Sequence, residues 1–150
     1  MSSATHSYAL VFLQFLCIAL LASPISDFFS LTFVTILGLM LLADAVALAL
    51  WALISMKRGT FRVLPEPSAN AQLTMNGPYQ WIRHPMYTAV LLAGLGAVLA
   101  HATLFHCIIF LSLSLVLYFK IRREERALLN RYPEYAAYRS RSKALVPFLY

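Results

Sequence analysis

Long apolar runs alternate with short polar breaks along the chain, and the lengths of the runs set the architecture. Residues 8–23 are apolar and nearly long enough to cross a bilayer, which takes about 20 residues as a helix. The break Ser23-Pro24-Ile25-Ser26-Asp27 ends that run. A second run, 31–56, exceeds what a bilayer requires, so its helix must tilt or protrude. Residues 57–76 are polar, and Pro65 and Pro67 argue against a long helix there. From Pro85 to Ile121 the chain is apolar almost throughout. As one helix this run would measure about 54 Å, against a hydrocarbon core of roughly 30 Å. It must fold back, and the polar step His101-Ala102-Thr103 marks the turn. The pattern predicts an all-α integral membrane protein forming one domain over 1–150. It has about four transmembrane helices (8–23, 31–56, 85–101 and 104–121), the last two a helical hairpin, and a cytoplasmic C-terminal helical tail.

Composition agrees: 61% of the 150 residues are hydrophobic and 12% are charged, which is the membrane class. The formal net charge is +6, but its distribution matters more. No Lys or Arg precedes Lys57, and all twelve lie between Lys57 and Arg83 or from Lys120 onward. With four spans these two regions share a side, and the positive-inside rule makes that side, with both termini, cytoplasmic. The basic residues flank apolar runs instead of forming the face of a soluble fold, so nucleic acid is not an expected partner. The lipid bilayer is; nothing points to a protein partner.

Other polar residues carry less. Cys17 and Cys107 sit inside apolar runs and read as small packing hydrophobes. His101 and His106 read as boundary residues on the far side, too few to ligate a metal, so none is expected. The N-terminus lacks the positive region of a signal peptide, so a retained helix is expected. Ala89, Ala93, Gly96, Ala97 and Ala100 let another helix approach closely. Asp44 stands near the middle of the second span, where a carboxylate is costly. It either hydrogen-bonds another helix in its protonated form or lines a polar tunnel for a lipid.

Two stretches hold the candidate chemistry. The first is Gly77-Pro78-Tyr79-Gln80-Trp81-Ile82-Arg83-His84-Pro85-Met86-Tyr87. Gly77-Pro78 is a turn signal. Pro85 suits the first position of a helix, and His84 before it is pushed out of the α region. Arg83 and His84 are thus held at a helix mouth, whose partial positive charge favours an anionic group. Trp, Tyr and Arg also belong at a membrane interface, so an anchor is the competing reading. The second stretch runs Tyr118-Phe119-Lys120-Ile121-Arg122-Arg123-Glu124-Glu125-Arg126-Ala127-Leu128-Leu129. Lys120, Glu124 and Leu128 lie four apart on one helical face. The hairpin should bring Glu124 beside Arg83 and His84. Glu125, about 100° around the helix, should turn toward water or a neighbouring Arg. Taken alone, the acidic pair reads as a solvated, charged helix surface.

Together these stretches resemble the integral-membrane methyltransferases that include isoprenylcysteine carboxyl methyltransferase and the phospholipid N-methyltransferases. The matching residues are Leu73-Thr74, Gly77-Pro78-Tyr79, Arg83 to Tyr87, Glu124-Glu125, Leu128, Tyr132, Tyr135, Tyr138, Arg139 and Pro147. The resemblance implies a site for S-adenosylmethionine at the cytoplasmic membrane face. Carried over, the cofactor-binding residues are Leu73, Thr74, Tyr79, His84, Pro85, Met86, Tyr87 and Glu124. Arg83 and His84 are the candidate catalytic residues. Lys120 is the candidate substrate-binding residue, standing where isoprenylcysteine enzymes carry Arg; it lacks the bidentate fork of Arg. Ala89 replaces a frequent Gly of the family, and Tyr132-Pro133 a longer aromatic-Gly step. The tail from Tyr132 reads as a membrane-surface segment, a pocket lid, or both. The implied activity is methyl transfer to a lipophilic acceptor reached through the bilayer: an isoprenylcysteine-like carboxylate, a phospholipid amine or a thiol. The alternatives are an NADPH-dependent membrane sterol or steroid reductase, whose stretch around Arg-His-Pro is similar, and a non-catalytic membrane scaffold of the same fold.

Overall fold

A computed structural model describes residues 3–23, 33–56 and 73–146. Five α-helices and one 3₁₀ turn account for the regular structure: α1 (Ser3–Leu21), α2 (Phe33–Ser55), the 3₁₀ turn Gly77–Gln80, α3 (Pro85–His101), α4 (Leu104–Arg131) and α5 (Tyr135–Arg141). No strand occurs among the described residues. Most of the expected break after Ser23, most of the polar loop (57–72) and the last four residues, Pro147 among them, lie outside the described residues.

The apolar runs became helices because nothing inside them breaks the hydrogen-bond ladder. α3 spans 85–101 as expected. α1 begins five residues before the expected start at Tyr8. The fourth helix does not stop at Ile121 but runs on through the charged segment 122–131, which lies beyond the apolar, spanning part. α2 and α4 are long and apolar enough to cross a membrane, while α1 and α3 are shorter apolar helices. Phe12, Phe33, Met40, Ile54, Leu111 and Leu115 all point outward. An apolar surface of this kind is at home in lipid and not in water. Asp44 is exposed on the same outer surface of α2. Among the described residues it is not buried against a second helix, and it is not part of the lining of either cavity between the helices described below.

The hairpin turns where its polar residues stand. Ala102 takes a left-handed conformation (φ 48°) after α3, and its amide donates to Val98 O. Thr103 caps α4 by accepting from the His106 amide at 3.3 Å. His101 and His106, expected at the far boundary, stack across the turn with ring centroids 4.2 Å apart and are both buried within the protein. Small residues do bring two backbones together: a Cβ added at Gly38 of α2 would lie 2.7 Å from Gly96 O of α3, and the reverse holds. On the other side of the bundle Cys17 and Leu21 of α1 pack with Leu113 and Leu117 of α4. Gln14 meets Lys120 further along, so α1 and α4 run antiparallel.

Gly77 fixes how the candidate site leaves α2. Its φ is +59°, and an added Cβ would collide with the Ser55 hydroxyl and lie 2.8 Å from Ser55 Cβ. Gly77→Ala should therefore destabilise the fold by about 1–3 kcal/mol, from left-handed strain and overpacking. A thermal melt of the purified variant in detergent should show a lowered Tm; an unchanged Tm would contradict the close approach to Ser55.

Candidate functional site

The site is assembled from one loop, one helix mouth, one helix exit and a strap. The Pro78 carbonyl accepts from the Trp81 and Ile82 amides at 3.2 and 3.1 Å, closing the turn. His84 follows at φ −125°, ψ 58°, outside the α region as its place before proline requires, and Pro85 opens α3. The chain after α5 then runs alongside this step. Lys143 N donates to Trp81 O at 2.9 Å, Arg83 N to Lys143 O at 2.8 Å, and His84 N to Ala144 O at 3.0 Å. Thr88 Oγ1 adds a bond to Leu145 O at 2.7 Å, and the Tyr138 hydroxyl donates to Tyr79 O at 2.6 Å. The tail through Leu145 is thus a backbone strap on the motif.

The two carboxylates at the exit of α4 have different fates. Glu125 is 7% exposed and accepts from Arg83 Nε at 2.7 Å. Arg139 Nε lies 3.3 Å from its other oxygen, and His84 Nε2 is 3.5 Å away. Arg83 also donates to the carbonyls of Ser142 and Arg139. Burial alone would raise the Glu125 pKa; the close His84 imidazole and the hydrogen-bonded, charged Arg83 guanidinium outweigh it and hold the group at about 2. The expectation that Glu125 turns to water is overturned, although its turn toward Arg residues holds. The physical reason is α5: it presents Arg139 to the face of α4 that would otherwise meet water.

Glu124 is more open. Its side chain is 29% exposed, accepts from the Tyr87 hydroxyl at 3.0 Å and lies 3.6 Å from His84 Nδ1. The hairpin therefore does bring Glu124 beside His84, as expected, but the guanidinium of Arg83 pairs with Glu125 instead. Glu124 opens onto a cavity of about 250 Å³. Tyr79, Arg83, His84, Pro85, Met86 and Tyr87 line it from the motif, and Lys120 from α4. Leu73 and Thr74 are absent from the lining. Arg83 reaches the cavity wall, but its guanidinium is engaged by Glu125 and the strap, which makes it a brace rather than a free anion receptor. The Tyr79 hydroxyl is buried without a hydrogen-bond partner among the described residues. Burial, then Glu124 and Tyr138, raise its pKa, so it stays a neutral phenol able to meet a ligand.

Helix α1 supplies what the sequence reading missed. Gln14, Phe15 and Ile18 line the same cavity, with Met56 after α2 and Val90 of α3. Gln14 is the one amide in the apolar run 8–21, and that was the available signal. Among the described residues no group of three or more His, Cys, Asp or Glu is placed to hold a metal ion.

A family profile for phospholipid methyltransferases matches residues 33–135, from the start of α2 through the motif and both glutamates. The chain belongs to that family, one of membrane methyltransferases, and α2 and α4 have the lengths and composition such a protein needs. Among curated proteins it is similar to the cobalt-zinc-cadmium resistance protein CzcN of Cupriavidus metallidurans, at 37% identity over 82 residues. That match takes in 53% of this chain and 38% of the relative, so the chain spans well under half the relative's length.

Proposed function

We propose that this chain transfers a methyl group from S-adenosylmethionine to a lipophilic acceptor that reaches the site through the bilayer. The observation that carries the proposal is the cavity where Tyr79, His84, Tyr87 and Glu124 converge beside the mouth of α3. Its donor set suits the cofactor group by group. Glu124 would pair with the α-ammonium, since a carboxylate bonded to a cation is a strong, charge-assisted partner. The face of Tyr79 attracts a sulfonium, while the Tyr87 ring already stacks with His84 and has the Lys120 ammonium 5.3 Å from its centroid. The α3 N-terminus, with His84 beside it, favours the α-carboxylate. The Tyr79 hydroxyl offers a bond that no described residue takes up. Met86 and Pro85 give apolar wall. The bound cofactor supplies an activated methyl group; the protein's part is alignment, worth on the order of 7–11 kcal/mol at best.

The proposed topology has four spans, α1 to α4, with both termini cytoplasmic. α1 and α3 are short for this, so they would need a thinned bilayer or flanking polar side chains that reach the interface. Ile18 and Val90 also wall a second, apolar cavity of about 340 Å³ between the four helices, continuous in character with the lipid.

Calorimetric titration of the purified protein with S-adenosylhomocysteine and, separately, with NADPH tests the reading. Saturable binding of S-adenosylhomocysteine and none of NADPH is expected. Binding of NADPH alone would make the chain a reductase, and binding of neither would leave a scaffold.

A further inference from the structure

The charged extension of α4 has a second polar side, turned away from Glu124. Arg122, Arg123 and Arg126 line an open groove of about 570 Å³ between α4 and the start of α1. Arg122 and Arg126 share a helical face, and each stands two residues from Glu124, about 160° around the helix. The groove and the cavity at Glu124 have no lining residue in common. No acidic side chain lines the groove among the described residues. Glu124 turns to Tyr87 and Glu125 to Arg83 and Arg139, on other sides of α4. His6, in the first turn of α1, completes the polar rim. The partial positive charge at the start of that helix has the same sign as the guanidiniums.

Toward the bundle the groove is apolar. Leu10 of α1 and Phe119 of α4 line it there, and Phe119 is 53% exposed. Both belong to the apolar parts of their helices, whereas Arg122 opens the charged segment beyond. The groove therefore crosses from the hydrocarbon to the headgroup level. Tyr118 stands at the crossing and orders one guanidinium: Arg122 Nε donates to its hydroxyl at 3.1 Å, and the guanidinium carbon lies 5.4 Å from its ring centroid. An arginine already held in place loses less freedom when it takes an anion. A soluble anion would make no use of the apolar half, and an uncharged lipid none of the three guanidiniums.

We infer that this groove seats the phosphate headgroup of one anionic phospholipid, with its chains along Leu10 and Phe119, and that the lipid ties α1 to α4. Guanidiniums suit phosphate because they can donate two parallel bonds to it. The lipid is not the methyl acceptor, since it lies across α4 from Glu124. The inference goes beyond the methyltransferase reading and stands or falls without it. The helix so braced is the one that supplies Gln14, Phe15 and Ile18 to the cavity. It also lies outside the matched segment 33–135, so one wall of the groove belongs to a part of the chain that the family profile does not reach.

Native mass spectrometry of the delipidated full chain in detergent tests the inference, with palmitoyl-oleoyl phosphatidylglycerol, the matching phosphatidylcholine and glycerol 3-phosphate titrated in turn. One phosphatidylglycerol should bind roughly tenfold or more tightly than phosphatidylcholine, the scale of one charge-assisted contact, because the choline cation would face the guanidiniums. Glycerol 3-phosphate, which lacks chains, should bind more weakly than phosphatidylglycerol by at least about tenfold. The double variant Arg122→Gln/Arg126→Gln should lose the preference between the lipids. Arg131→Gln/Arg141→Gln removes the same charge from exposed positions outside the groove and should keep it. His6→Glu should weaken phosphatidylglycerol about tenfold from the α1 side. Each variant should melt like wild type without lipid, and the wild-type comparison decides even where one does not. Equal binding of the two lipids overturns the inference. Equal losses in the two double variants would mean diffuse attraction to a basic surface and overturn it too. Glycerol 3-phosphate binding as tightly as phosphatidylglycerol would make the groove a soluble-anion site, not a lipid seat. Unchanged lipid binding in His6→Glu would put the lipid on α4 alone and overturn the tie to α1.

Discussion

Glu125→Gln is expected to destabilise the protein by about 3–5 kcal/mol, the usual cost of removing one partner from a buried ion pair. Glu125 is the only anion in contact with Arg83 among the described residues, and it also meets Arg139 and His84. Gln keeps one acceptor for Arg83 but leaves two guanidinium groups close together with their charge uncompensated. The loss should spread, because Arg83 also holds the strap through the Ser142 and Arg139 carbonyls. Thermal unfolding in detergent near neutral pH should show a Tm well below wild type. Acid should close the gap. The folded-state pKa is depressed from 4.5 to about 2, so the stabilisation is complete above 4.5 and is lost as pH falls toward 2. Melts across that window should converge for wild type and variant. Equal Tm values at neutral pH would show that Glu125 is a solvated ion with no structural duty.

That result would also mark where the sequence stopped being legible. The run lengths predicted helices, and helices formed, because a long apolar segment without proline has one economical way to satisfy its backbone. The turn at His101 to Thr103 was legible for the same reason: it is the single polar step in a run too long for one span. The turn at Gly77-Pro78 and the non-helical His84 followed from local sterics alone, though at ψ 58° His84 stops short of the extended geometry its place before proline suggests. Helical spacing likewise placed Lys120 and Glu124 on one cavity wall.

What spacing did not reveal was how many surfaces surround the exit of α4. A helical wheel shows which residues share a face, not what each face meets. α3 and its mouth cover the face of Glu124, while Arg83 and α5 cover that of Glu125, so two adjacent carboxylates both found partners. Arg83 looked like a free cation at a helix mouth because its neutraliser is forty-two residues away in sequence. Gln14 was overlooked because a lone amide in an apolar run has no local partner, and its meaning appears only when α1 lies against Lys120. Each miss is a tertiary contact between segments whose relative placement the hydropathy pattern leaves open.

Glu124→Gln should do the opposite of Glu125→Gln: leave the fold nearly intact and weaken cofactor binding. Glu124 is the more exposed of the two, and its contact with His84 is long, 3.6 Å. Partly exposed pairs of this kind contribute about 0–1 kcal/mol, so the Tm should hardly move. The Gln side chain keeps an oxygen that can accept from the Tyr87 hydroxyl, as Glu124 does at 3.0 Å, so the ring should stay in place. Only the negative charge facing the cavity is removed. If that charge pairs with the α-ammonium of the cofactor, its loss costs about 1.5–3 kcal/mol, the worth of a hydrogen bond to a charged group. The affinity for S-adenosylhomocysteine should then fall roughly 10- to 150-fold, at tenfold per 1.4 kcal/mol. Calorimetric titration of both variants beside their melting curves separates the two duties: Glu125 in stability, Glu124 in affinity. An affinity within about twofold of wild type for Glu124→Gln, less than 0.5 kcal/mol, would mean that this carboxylate does not meet the ammonium and that the cofactor, if bound, lies elsewhere.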